Sequence, residues 1–128
     1  MWPFKRRKSY REIDLDELAE TTPAKIYANL LLLEMARGDV GERLLRRSQP
    51  LPWPAHYAEE ELPPFAAVVN CLKVMSTLDP IAYHAPKEGR IELGVGLDGR
   101  MQEVIIHTRF DDFAEDPAVH LRMEFIDQ

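Results

Sequence analysis

The side chains with the most chemistry to offer lie in the last third of the chain. Arg90, His107, Arg109, His120 and Arg122 alternate along segments whose intervening positions hold Ile91, Leu93, Ile106, Leu121 and Met123. In strands the two sets would fall on opposite faces. Arginine grips carboxylate and phosphate through paired hydrogen bonds, and histidine adds donors or titrates near neutrality, so the gathered set describes an anion or partner site. The same pattern also describes a solvated sheet face, with Glu92, Glu103 and Glu124 relieving the like charges through diagonal ion pairs. His84, opposite Glu92, Gly94 and Gly96 are expected on that face too. The missing side chains of the glycines permit either twist or a close approach by another backbone.

A second set is acidic. Asp111, Asp112, Glu115 and Asp116 lie between two apolar alternating segments, and Glu59 to Glu61 follow a proline-rich stretch. Acids in loops can attract a basic partner without desolvating one another.

Other chemistry finds no organisation in the sequence. Zinc needs three or four ligands converging on one point, whereas His84 is a strand away from His107, His120 is offset again, and His56 stands apart. Cys71, the single cysteine, falls among apolar neighbours in a helix, where a thiol is an inert small hydrophobe. None of Ser9, Ser48 and Ser76 occupies a Gly-x-Ser-x-Gly elbow. Gly94-Val95-Gly96 precedes a hairpin instead of a helix and cannot make a phosphate-binding turn. No catalytic residue, metal site or cofactor is expected.

The elements that position these residues start from Asp98-Gly99, which suits a two-residue type I′ turn. That turn pairs Leu97 with Arg100, Leu93 with Val104 and Ile91 with Ile106. Extending the register outward pairs Phe110 with Val119, Thr108 with Leu121, Ile106 with Met123 and Val104 with Phe125. On the other side, Lys87-Glu88-Gly89 reads as a loop with a left-handed glycine, which brings Ile81, Tyr83 and Ala85 opposite Val95, Leu93 and Ile91. The expectation is a four-stranded antiparallel meander over residues 81–86, 90–97, 100–110 and 119–126.

Helices precede it. Asp14 with Glu17 caps a short helix over residues 15–21, and Thr22-Pro23 caps a second to Arg37 with Gly38 as its left-handed stop. Asp39 with Glu42 opens a third through Arg47. Residues 49–63 form a proline-rich strap anchored by Leu51, Trp53, Tyr57 and Leu62, and Pro64 to Leu78 is a nearly all-apolar central helix with a polar stripe of Asn70, Lys73 and Thr77. The fold class is therefore α+β: N-terminal helices plus a central helix, expected to be the most buried, packed on one face of the meander. Residues 1–12 are expected to be a flexible basic arm, and residues 13–128 a single domain, helical over 13–48 with its meander over 81–126.

Composition narrows the function. One cysteine among 128 residues excludes an intramolecular disulfide and favours a reducing cytoplasm. The basic start is not followed by an apolar stretch, and the longest apolar run, Leu30 to Leu33, is too short to cross a bilayer. Lys5, Arg6, Arg7, Lys8 and Arg11 leave eleven basic against twenty-two acidic residues in positions 12–128, a net of −11. Such a body repels phosphate backbones, so nucleic acid is not expected as a partner, and basic proteins are favoured. Trp2 and Phe4 beside Lys5 to Lys8 offer weak, salt-sensitive attraction to anionic surfaces, which the body opposes. The leading reading is a small acidic, non-enzymatic protein-binding domain, such as an inhibitor or immunity-type antidote to a basic partner. The alternatives are a small enzyme or binding domain for an anionic metabolite using the Arg/His cluster, and a structural subunit of a larger assembly; homo-oligomerisation stays open.

Overall fold

A computed structural model describes residues 22–38 and 40–126. The expected arm, the expected helix over residues 15–21 and the expected cap at Asp39 lie outside them. The elements run α1 (Pro23–Gly38), β1 (Glu42–Arg46), α2 (Phe65–Met75), β2 (Lys87–Leu97), β3 (Arg100–Asp111) and β4 (Ala118–Phe125). The strands form one antiparallel sheet in the order β1-β4-β3-β2, and the helices share a hydrophobic core with one of its faces. The fold is α+β.

The β2–β3 hairpin carries the anticipated register, Leu97 against Arg100 through Ile91 against Ile106. Asp98 and Gly99 have φ of 49° and 77°, the two positive values that a type I′ turn demands. Strand β4 adds Phe110 opposite Val119 and Ile106 opposite Met123, so Ile91, Leu93, Val104, Ile106 and Leu121 are buried and Met123 is partly so.

The fourth strand is not the expected one. Residues 81–86 stay out of the sheet, because their backbone groups are engaged elsewhere: Lys73 Nζ donates to the Ile81 carbonyl and the Tyr83 N–H donates to Asp112, each at 2.8 Å. Its place is taken on the opposite edge by β1, where a third helix through Arg47 was expected. Leu44 is exposed and Leu45 buried, the alternation of a strand, and bonds from Met123 N to Gly41 O and from Arg47 N to Pro117 O secure both ends. Pairing five residues to β4 yields a full ladder, whereas so short a helix would gain little by itself.

Helix α1 begins as expected, with the Lys25 N–H donating to the Thr22 hydroxyl and carbonyl. Its end differs. Gly38 is the last helical residue and is not left-handed; the turn closes by a bond from Val40 N to Met35 O. Buried Ala24, Tyr27, Ala28, Leu31, Leu32, Met35 and Ala36 make α1 the more buried helix, a place assigned in advance to α2, which buries Val68, Val69, Leu72 and Lys73. The polar stripe on α2 is broken because Lys73 turns inward. The strap crosses α1 by way of buried Tyr57, whose ring meets Tyr27 edge-on at 5.7 Å, while Trp53 remains exposed.

Tyr27 donates its hydroxyl to the Pro52 carbonyl at 2.6 Å. Burial pushes this phenol up to about 12; the Arg43 charge opposes the shift, while Glu34 and Tyr57 add to it. A folded pKa above the unfolded value stabilises the fold below the unfolded pKa, and the benefit disappears as pH rises through the folded one. Stability should therefore fall by about 2–3 kcal/mol between roughly pH 10 and pH 12. Urea titrations across that range on the parent and Tyr27→Phe should show a clearly steeper slope in the parent.

Gly89 lies within β2 without positive φ, not in the left-handed loop position expected for it. Its role is close approach: a Cβ there would stand 2.9 Å from Ser76 Cβ and 3.2 Å from the Ser76 carbonyl. Ser76 ends α2 in this contact, its hydroxyl bonded to the Leu72 carbonyl at 2.7 Å and to the Thr108 hydroxyl at 2.9 Å. Thr77, with φ of 62°, completes the turn through a bond from Leu78 N to Lys73 O. Gly89→Ala should cost about 1–3 kcal/mol by overpacking, measured by urea unfolding.

Candidate functional site

The sheet brings the expected outward cluster together: Arg90 lies beside His107 beside Arg122, and Arg109 beside His120. Carboxylates hold four of these five. Arg90 reaches Glu92 at 2.5 Å, His107 reaches Glu124 at 2.8 Å, and Arg109–Glu88 and His120–Glu42 stand at 3.3 Å. Arg122 is exposed between His107 and Glu42. The His107 hydrogen bond holds the Glu124 carboxyl below its usual range against burial, and the charges of His107, Arg122 and Arg90 add to it. By the register, the outward positions hold Arg46, Arg90, Arg109 and Arg122 against Glu42, Glu88, Glu92, Glu103, Asp111 and Glu124, so this face is not a cationic surface. Two members were misplaced in advance. His84 is in a loop instead of opposite Glu92, and Glu103, expected to be exposed, is buried.

The acidic loop divides. Asp112 is the partner of Lys73, Oδ2 to Nζ at 2.8 Å, and both side chains are largely withdrawn from water. The ammonium also lies 5.2 Å from the Tyr83 ring centroid and 5.7 Å from that of Phe110. Asp116 accepts from the Ser48 hydroxyl at 2.5 Å and from the Ser48 N–H at 3.1 Å. The hydroxyl bond chiefly holds its carboxyl below the usual range, against burial, with the N–H and the charges of Arg46 and Arg47 adding. Both residues thus serve the architecture, while Asp111 and Glu115 form no ion pair among the described residues.

The most distinctive surface joins Phe113, which the sequence did not single out, to Ile81, which was expected in a strand opposite Val95. Phe113 and Ile81 are 58% and 59% exposed, and Phe113 stacks on His84 at 4.8 Å and 5° between planes. They stand on two loops, residues 76–86 and 112–117, that Lys73 and Asp112 tie to one another and to α2. The signal was present in the sequence: a phenylalanine set among four acids, and a lysine in the middle of an apolar helix.

A cleft of about 870 Å³ opens between the start of α1, the strap and α2, with Thr22, Glu60, Pro63, Asn70 and Cys71 in its lining. Burial pushes the Cys71 thiol up, with the Lys25 charge opposing, which keeps it protonated and weakly nucleophilic at neutral pH. Among the described residues, no three of His, Cys, Asp and Glu gather as a metal site, and no helix is long and apolar enough to cross a membrane. No family model matches the chain, and no curated protein matches it by sequence.

Proposed function

We propose that the protein is a non-enzymatic binding domain that takes a partner with a basic surface on the end formed by residues 76–86 and 112–117, as an inhibitor or antidote would. The observation that carries this reading is the pair of exposed apolar side chains, Phe113 and Ile81, on loops held by the buried Lys73–Asp112 pair. An anchor already fixed in place loses little freedom on binding, and aromatic anchors of this kind dominate interface energies. Asp79, Asp111 and Glu115 surround the anchor in sequence, on a body of net charge −11 over residues 12–128, which favours encounter with a cationic protein.

The test is capture of the partner from native lysate, followed by binding kinetics with purified components. Phe113→Ala with Ile81→Ala should weaken binding by about 2 kcal/mol or more, mainly through faster dissociation. Neutralising Asp79, Asp111 and Glu115 should slow association and flatten its salt dependence, with a smaller effect on dissociation. Asp112 and Asp116 are left out because their loss would disturb the loops themselves. Unchanged affinity in the Phe113/Ile81 variant, or an association rate indifferent to ionic strength, would overturn the reading.

A further inference from the structure

Strand β1 ends the sheet, so one of its long sides pairs with β4 and the other with no strand among the described residues. The bonds from Met123 N to Gly41 O and from Arg47 N to Pro117 O fit the β1–β4 register and direct the backbone groups of the odd-numbered residues at β4. Antiparallel pairing alternates along the chain, so the backbone groups of Glu42, Leu44 and Arg46 point away from β4. Among the described residues, those of Glu42 and Leu44 take no hydrogen bond, and the Arg46 carbonyl takes one, from Gln49 N at 3.2 Å. Proteins blunt such edges with proline or a bulge. β1 has neither: its register runs unbroken over Glu42–Arg46, and Leu44 at its centre is 46% exposed.

The side chains along this edge are complementary to themselves. In an antiparallel pairing of β1 with a second β1 centred on Leu44, Leu44 meets Leu44, Glu42 meets Arg46 and Arg46 meets Glu42, while Arg43 falls opposite Leu45, so no like charges meet. The residues that face one another with free backbone groups are the outward ones, so each can exchange both bonds with its partner. A shift of two residues sets the exposed leucine against a charge. Glu42 and Arg46 are held only at the surface, to His120 at 3.3 Å and to Asp116 at 4.0 Å, with side chains 65% and 42% exposed. Turning them across the joint strands no buried group.

We propose that two copies of the chain pair edge to edge through β1, antiparallel about Leu44, and join their sheets into one across a two-fold axis. An edge of five residues a side buries far less than the roughly 1,600 Å² of a standard interface, so the dimer is weak and follows protein concentration. The Arg46 end of β1 adjoins Pro117, which places the two loops bearing Phe113 at opposite ends of the joint. The inference stands independently of the proposed function, since it requires no foreign partner.

Sedimentation velocity of the purified chain tests it, over a series from micromolar to millimolar concentration. Physiological ionic strength screens the repulsion between two chains of net charge −6 beyond about 8 Å. A reversible shift from monomer to dimer is expected. Glu42→Arg places like charges opposite Arg46 of the other copy and should weaken dimerisation severalfold, and Arg46→Glu should do the same at Glu42. An equimolar mixture of these two variants should recover a heterodimer, because every opposed pair is again of opposite sign. Leu44→Pro removes an N–H that β4 does not use and should abolish the dimer. Should the proline disturb β1, the charge variants, which alter exposed side chains, decide alone. A monomer throughout the series overturns the proposal, as do a dimer that both charge variants form as tightly as the parent and a mixture that associates no better than its components.

Discussion

Asp112→Ala should destabilise the fold by about 3–5 kcal/mol, the loss typical of removing one partner from a buried ion pair. The substitution strands the Lys73 ammonium, whose side chain is 3% exposed, beside the Ile81 carbonyl and two ring faces, its remaining partners among the described residues. It also leaves the Tyr83 N–H without its acceptor. Lys73→Met should cost a comparable amount by stranding the carboxylate instead. The double variant Lys73→Met with Asp112→Leu should cost well below the sum of the two, since no charge then remains buried. Urea unfolding of the four proteins measures the coupling. Single losses below about 1 kcal/mol, or simple additivity, would show that water reaches the pair and that the loops bearing Phe113 and Ile81 are held by something else.

Leu72→Ala should cost about 2–5 kcal/mol, because its side chain is fully buried between α2 and the sheet and the surroundings cannot collapse onto the void. The Ser76 hydroxyl bond to the Leu72 carbonyl survives the change, so the loss reports packing alone. A cost below about 1 kcal/mol in urea unfolding would make α2 peripheral to the core.

The two effects meet on α2, and they differ in how visible they were beforehand. Leu72 belongs to an apolar helical pattern that declares burial. Lys73, next to it, reads as solvated surface until Asp112 arrives from 39 residues away. The candidate site divides in the same manner: the outward Arg/His register was legible, but the carboxylates that hold Arg109 and His120, Glu88 and Glu42, were not, because the first was assigned to a loop and the second to a helix. Phe113 was hidden for a similar reason, its exposure depending on loops whose course is set by a lysine on a distant helix.

By itself, the sequence determined whatever is decided over short separations. Asp98-Gly99 imposes a turn, and a side-chain period of two then propagates a single register from β2 through β3 to β4, since a slip of one residue would turn every apolar side chain to water. Thr22-Pro23 likewise starts α1 with its own oxygens. The tertiary structure decided whatever depends on partners remote along the chain. Glu42 to Arg46 pairs with residues more than seventy positions later, and no local turn announces that ladder. Residues 81–86 have strand-like alternation, yet a lysine and an aspartate from two other elements take their backbone groups. Local propensity differs by only a few tenths of a kcal/mol between such alternatives, and a completed ladder or a satisfied buried charge outweighs it.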